Sequence, residues 1–538
     1  MTKYLSETRR SVLAVLFTAA ALVAWALASP IGSSPDENYH LTSVWCGKGE
    51  RQGFCEQGDA SDERRVPAQF FAATCFALQP EVSGACQPTF ADDPGLVSSD
   101  RVNTGDYPPA FYWTMSWFAG RDVVRSVVVM RIVNLIIFCG MLTAVAVAAP
   151  RGIRRAVIMG TALTVVPLGM FLIPSINPSS WALISAATFT PALLGYLVAE
   201  GPRRWVLGGL AALSLLLGAG ARADSAVFTG IGVAAAVALG WRAGRRNLKD
   251  LVLPAALGIA SVLMFLSTGQ SKDASRQEGA PGPDIIGVFT EVPRLWTGVV
   301  GGPGNLWPWG LGWLDTGMPA TVWVLSWSVL AGVLFSALPG RDWRHILVLV
   351  TIGGALWVAP TYMQYVSGFP VGAYIQPRYI MPLVMMFTVL VVVRLRGVVC
   401  WSRTQRVLVV LALSAANSLA LHTTLRRFVS GVNGPTNLDR AVEWWWSVPI
   451  SPMVVWTTGS VTFLVGAALA LQVMLGDPAR PAQTATAPSP EVAEHVEDDV
   501  GAADRRLLVG QSDSAVRGDR DDDQVGDVPP DDVVQRRP

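Results

Sequence analysis

Uncharged apolar runs of about 20 residues recur along the chain, and that length suffices to cross a hydrocarbon core. Each run is closed by arginine, lysine, proline or glycine. Runs over roughly 11–31, 126–149, 156–174, 179–199, 205–222, 225–241, 251–268, 319–338, 346–363, 379–393, 407–424 and 453–475 predict about twelve transmembrane helices. Spans five and six meet at Arg222 and Asp224 with almost no loop between them. Alternate short loops gather positive charge at Arg151, Arg154, Arg155; Arg203, Arg204; Arg242, Arg245, Arg246, Lys249; Arg341, Arg344; and Arg394, Arg396, Arg403, Arg406. The positive-inside rule then predicts that both termini are cytoplasmic. Lys3, Arg9, Arg10 and Ala26-Leu27-Ala28 also resemble a signal peptide. The apolar stretch between them is longer than a signal core, so the first run reads as a retained anchor.

The largest piece between spans, about 32–123, is then extracytoplasmic. It holds Cys46, Cys55, Cys75 and Cys86, whereas Cys139 and Cys400 lie in or beside spans. Four cysteines on an oxidising face suggest two disulfides, with three pairings open. A zinc site is the competitor, but these spacings lack a C-x-x-C pair. Val66, Phe70, Phe71, Thr74 and Leu78 suit an interfacial helix between Glu63 and Leu78, and Tyr107-Pro108-Pro109-Ala110-Phe111-Tyr112-Trp113 suggests a second.

Composition supports the membrane reading, because 51% of the 538 residues are hydrophobic and only 15% charged. A net charge of +1 excludes both a basic nucleic-acid binder and an acidic solvating protein. The balance is uneven along the chain. From Asp477 onward 15 acidic residues face 7 basic ones, with few aromatics. Such a tail, 477–538, buries too little apolar surface to fold alone and reads as a disordered cytoplasmic segment following a transmembrane domain over 1–476.

Candidate chemistry begins just beyond the first span, at Pro35-Asp36-Glu37-Asn38-Tyr39-His40. Two adjacent carboxylates and a histidine suit a general base or a divalent cation such as magnesium or manganese. They equally suit a helix start, where acidic residues complement the dipole. Arg131, Asn134, Asn177, Arg222, Asp224 and Arg378 are further polar residues at costly depth. Arg222 with Asp224 reads as a capping pair. Arg378 beside Tyr379 suits phosphate recognition. The tryptophans from Trp296 to Trp313, Trp309 among them, and Trp444-Trp445-Trp446 read as an aromatic belt or as a sugar platform. Gly301-Gly302-Pro303-Gly304 is not followed by Lys-Ser/Thr, which removes a nucleotide loop.

In their order along the chain, Pro35-Asp36-Glu37-x-x-His40, Tyr107-Pro108-Pro109-Ala110-Phe111-Tyr112, Arg131-x-x-Asn134, Asn177-Pro178 and Gln376-Pro377-Arg378-Tyr379-x-x-Pro382 resemble the bacterial membrane family called domain-of-unknown-function family 2142. The layout also resembles the GT-C glycosyltransferases. Pro377 departs from the glycine expected there, and the four-cysteine loop is particular to this chain.

The resemblance implies an all-α polytopic GT-C-like fold. It also implies transfer of a sugar from a polyprenyl-phosphate donor to an envelope polysaccharide or glycolipid on the outer face, with inversion. Asp36 would be the general base and Glu37 its assistant. Arg378, Tyr379 and His40 would bind the donor phosphate. Tyr107, Arg131, Asn177 and Trp309 would contact the acceptor or the rest of the substrate. A transporter or flippase of lipid-linked sugars and a non-catalytic assembly scaffold are the readings from other classes. Paired halves with broken helices near the midplane would favour transport.

Overall fold

The computed structural model describes residues 2–90, 95–241, 247–269, 284–303, 309–369, 371–373, 375–395 and 402–475. Cys400, the 242–246 loop, Gly304, Trp307, Tyr374 and the expected tail over 477–538 lie outside them. Met1–Gly476 forms one compact unit.

Its helices run in chain order as α1 (Thr2–Leu27), α2 (Glu37–Trp45), α3 (Gln69–Ala72), α4 (Ala110–Met115), α5 (Val123–Ala148) and α6 (Arg151–Val165). Next come α7 (Leu168–Leu172), α8 (Ser179–Val198), α9 (Pro202–Ala219), α10 (Ala223–Gly240), α11 (Val252–Leu266) and α12 (Ile285–Glu291). The last six are α13 (Pro293–Val299), α14 (Ala320–Ala337), α15 (Trp343–Ser367), α16 (Pro377–Val392), α17 (Arg403–Ser430) and α18 (Pro452–Leu475).

Among the described residues, nine helices are long and apolar enough to cross a membrane. Three of the twelve expected spans fall short of that standard, each for a local reason. Pro167 ends α6 early, because proline disfavours helix in the residue before it, so the 156–174 run divides into α6 and α7. Arg203 and Arg204 occupy the first turn of α9 and dilute its apolar character. The third, α16, is apolar but only 16 residues long.

Helix α8 is enclosed by protein rather than lipid, with 94% of its span buried. It packs against α5, α9, α10 and α16, so residues at its N-terminus sit at the centre of one end of the bundle. The neighbouring α6 and α16 approach backbone to backbone at Gly160. A Cβ there would stand 2.7 Å from Val389 Cα, so only glycine allows the contact.

The segment after α1 corrects the all-α expectation. A small antiparallel sheet forms from β1 (Glu56–Gln57), β2 (Arg64–Pro67) and β3 (Leu96–Ser99), in that order. The expected helix between Glu63 and Leu78 contracts to α3. Val66 is fully buried while Arg65 is exposed, a strand alternation, and Pro67 ends the pairing where its missing N–H does no harm. Of the three possible pairings, the cysteines adopt Cys46–Cys55 and Cys75–Cys86. Pro108-Pro109 leads into α4 as expected, and Trp113 and Trp117 project outward.

Candidate functional site

Asp36 stands where α1 has ended and α2 is about to begin. It adopts a left-handed backbone, φ 60°, which is uncommon for a residue with a side chain and persists only where neighbours impose it. The neighbours are identifiable. The Pro35 carbonyl accepts hydrogen bonds from Asn177 Nδ2 at 2.9 Å and from the Arg378 guanidinium at 3.0 Å. Glu37 turns the other way and is fully buried. Its carboxylate accepts from the Ser34 backbone N–H at 2.8 Å and lies 3.5 Å from Arg131. Arg131 in turn donates to the carbonyls of Ala26, Ser29 and Pro30, binding the end of α1 to the loop. Asn134 joins the same support, donating to the Ser175 carbonyl and accepting from Trp181 Nε1. Arg131, Asn177 and Glu37 are thus sealed behind Asp36, where they fix its position and reach no solvent.

In front of Asp36 the arrangement opens. Arg378 donates to Asp36 Oδ2 at 2.6 Å and to Tyr379 Oη at 2.9 Å. The arginine is buried, but 40% of the Asp36 side chain remains exposed. Burial pushes the Asp36 carboxyl up, and Arg378, helped by His40 and Arg101, more than reverses this, holding it below its usual range.

His40 lies against Tyr112 Oη at 3.0 Å from Nδ1, its ring packed between those of Tyr39, Tyr107 and Tyr112. Burial, opposed by Asp36 but aided by Arg378 and Arg222, pushes its imidazole down to about 3, so the ring is neutral at physiological pH. Tyr39 donates to Asp106 at 3.2 Å on the half-exposed side of the cleft. Burial pushes the Tyr107 phenol up to about 12 despite Arg222. With Tyr379, four of the nine tyrosines in the chain gather here.

Arg222 belongs to the same pocket, which its position at a hairpin tip does not reveal. It precedes α10, binds Asp224 through Nε and NH2, and reaches Ser179 Oγ at 3.4 Å. Its guanidinium carbon lies 4.7 Å from the Tyr379 ring centroid, and that of Arg378 lies 4.9 Å from the same ring. The sequence signal was an Arg-x-Asp between two spans without a loop; only packing shows which way it faces. As a result the N-termini of α2, α8, α10 and α16 converge on one place, each with the positive end of its dipole.

Trp309 is a fully buried wedge near the start of α16. Its ring fills the space over Gly372, where a Cβ would come within 2.2 Å. Trp446 donates its indole N–H to the Leu27 carbonyl at 2.8 Å and so secures the end of α1. Among the described residues no group of three or more His, Cys, Asp and Glu is placed to hold a metal ion. The donor set beside Asp36 fits one poorly, since Glu37 is sealed and Arg378 occupies the Asp36 carboxylate.

A family model, DUF2142, described as predicted membrane protein, matches residues 20–387. No curated protein and no solved structure matches the chain. The matched stretch contains the residues described at the cleft between α2 and α16, Asp36, His40, Tyr107, Arg131, Asn177, Arg222 and Arg378 among them. The chain belongs to the DUF2142 family of predicted membrane proteins.

Proposed function

We propose that the protein is a GT-C-type membrane glycosyltransferase. It moves a sugar from a polyprenyl-phosphate donor to a hydroxyl of a cell-envelope glycan or glycolipid, and so serves cell wall biogenesis. In this reading the chain is multi-pass in the plasma membrane, both termini are cytoplasmic, and the cleft faces outward. One observation carries it: a half-exposed carboxylate, Asp36, shares a single pocket with Arg378 and four helix N-termini. That combination supports the reading, because displacement of a phosphate by an alcohol needs a base and an anion-binding group at one site.

The charges follow a simple course. Asp36 takes the proton of the acceptor hydroxyl as its oxygen bonds to the anomeric carbon. The bond from that carbon to the phosphate oxygen breaks, and its electron pair leaves on the lipid phosphate. Protonation of Asp36 removes the charge that Arg378 was neutralising, at the moment the phosphate acquires one. The guanidinium therefore changes partners without any net charge being stranded in the pocket. Tyr379 Oη steadies that guanidinium. His40, being neutral, contributes position rather than charge. Tyr39, Tyr107 and Asp106 line the acceptor side, and Glu37, Arg131 and Asn177 hold the loop. Base and leaving group on opposite faces of the sugar give inversion.

The test incubates purified protein with a panel of polyprenyl-phosphate sugars and candidate acceptors, and follows released lipid phosphate. Release that depends on acceptor, with inverted product, is expected. A product of retained configuration would remove the single-base mechanism, and absence of release across the panel would remove the donor class.

A further inference from the structure

The pocket holds one more cation than the proposed chemistry has used. Arg222 and Arg378 approach the same Tyr379 ring, yet both are buried, and like charges so placed repel unless anions lie between or beside them. Each has one carboxylate, Asp224 and Asp36 respectively. Their free edges differ. Asp224 engages Nε and NH2 of Arg222, which leaves NH1 with a single long contact of 3.4 Å to Ser179 Oγ. Arg378 spends both terminal nitrogens on Pro35, Asp36 and Tyr379, and its buried Nε has no partner among the described residues.

The ligand's charge also changes during the reaction. A sugar phosphodiester carries one negative charge, whereas the departing lipid phosphate is a monoester whose second ionisation lies near pH 6 and which carries close to two. A pocket that served only the donor would need one guanidinium. We infer that Arg222 binds the second negative charge of the lipid phosphate, so that the site distinguishes the departing monoester from the incoming diester. This rests on the donor class proposed above and assigns a further residue to it. Asp224 acts as a positioning residue, holding the guanidinium over the Tyr379 ring with NH1 toward Ser179.

The test uses the full-length protein in nanodiscs and titrates a long-chain polyprenyl phosphate against its methyl phosphodiester, which keeps a single charge. The wild type is expected to bind the monoester about tenfold or more tightly, the worth of a charge-assisted hydrogen bond. Arg222→Gln is expected to lose that preference while still binding the diester. Asp224→Asn breaks the same ion pair but keeps the guanidinium and an amide oxygen to hold it, and is expected to weaken the preference without abolishing it. A purely structural pair would make these two variants alike. Thermal melting of each checks the fold, and should Arg222→Gln fail to fold, Arg222→Lys replaces it and is expected to show a weakened preference.

A preference surviving unchanged in the Arg222 variant overturns the inference. A wild type that binds neither ester overturns the donor class as well. Loss of both esters in Arg378→Gln with the preference intact in Arg222→Gln leaves the donor class standing and removes only the role of Arg222.

Discussion

Two aspartate–arginine pairs in this molecule have the same chemistry and opposite surroundings. Asp315 accepts from Arg427 at 3.1 Å, from the Leu78 backbone N–H at 3.1 Å and from Thr316 Oγ1 at 3.0 Å. Arg427 also donates through NH1 to the Val82 carbonyl and through NH2 to the Phe76 carbonyl, both inside the loop closed by Cys75–Cys86. The side chains of this pair are 0% and 4% exposed. Asp36, by contrast, has one side-chain partner, an exposed flank and a left-handed backbone held from behind. A carboxylate whose acceptor sites are filled by the protein can only hold structure. One that keeps an open face beside a cation can exchange partners, and that is the property a base needs.

The comparison breaks most readily at Asp36. Asp36→Asn keeps the size and loses the base, so transfer is expected to fall about a hundredfold to ten-thousandfold. Folding should also weaken, though by less than at a fully sealed pair, because the Asn oxygen can still accept from the buried Arg378 guanidinium and water reaches the open flank. Initial rates together with melting in detergent check both halves, and a variant that loses stability but not rate would sink the assignment.

At the sealed pair the pattern should invert. Arg427→Met strands the buried Asp315 charge and is expected to cost about 3–5 kcal/mol, read by denaturant unfolding. Adding Asp315→Leu to it should recover much of that loss, since a buried pair is often replaceable by apolar packing. An Arg427→Met protein as stable as the wild type would mean that the clamp holds nothing.

Much of this contrast was out of reach in the sequence. Apolar runs located the helices, because crossing a membrane demands length and apolarity whatever the neighbours are. Asp36, His40, Tyr107 and Arg378 were legible as candidates, being polar groups clustered near span ends. Glu37 was set apart from Asp36 only by the family resemblance, as its assistant, and not by residue type or spacing. The two are adjacent and chemically alike, and only Arg131, on another helix, decides which one is buried. Arg131 and Asn177 looked like substrate ligands for the same reason: a polar residue in an apolar run must face something, but periodicity does not say whether that is ligand or loop. Arg222 was the converse case, a plausible cap that packing turns into the cleft. The sheet escaped because strand alternation over Arg64–Pro67 is too short to compete with a helical pattern of wider spacing.

The subtlest difference between the two pairs lies in how Asp36 titrates. Its folded-state value sits below the ordinary 3.8, so ionised Asp36 favours the folded protein. That contribution is present above 3.8 and is lost as pH falls through the lower folded value. Burial is the largest single influence and acts in the opposite direction; Arg378 is the strongest of the charges that overcome it. Removing that charge with Arg378→Gln should therefore raise the folded value above 3.8. Asp36 would then favour the folded state only in acid, and its contribution would be lost as pH rises through the new value. The measurement is the stability gap between each background and its Asp36→Asn counterpart, followed across pH in detergent. In the wild-type background the gap should close only toward acid, and in the Arg378→Gln background it should diminish toward neutrality. Identical pH dependence in the two backgrounds would mean that the guanidinium does not govern the carboxylate, and the proposed exchange of partners during transfer would lose its driving force.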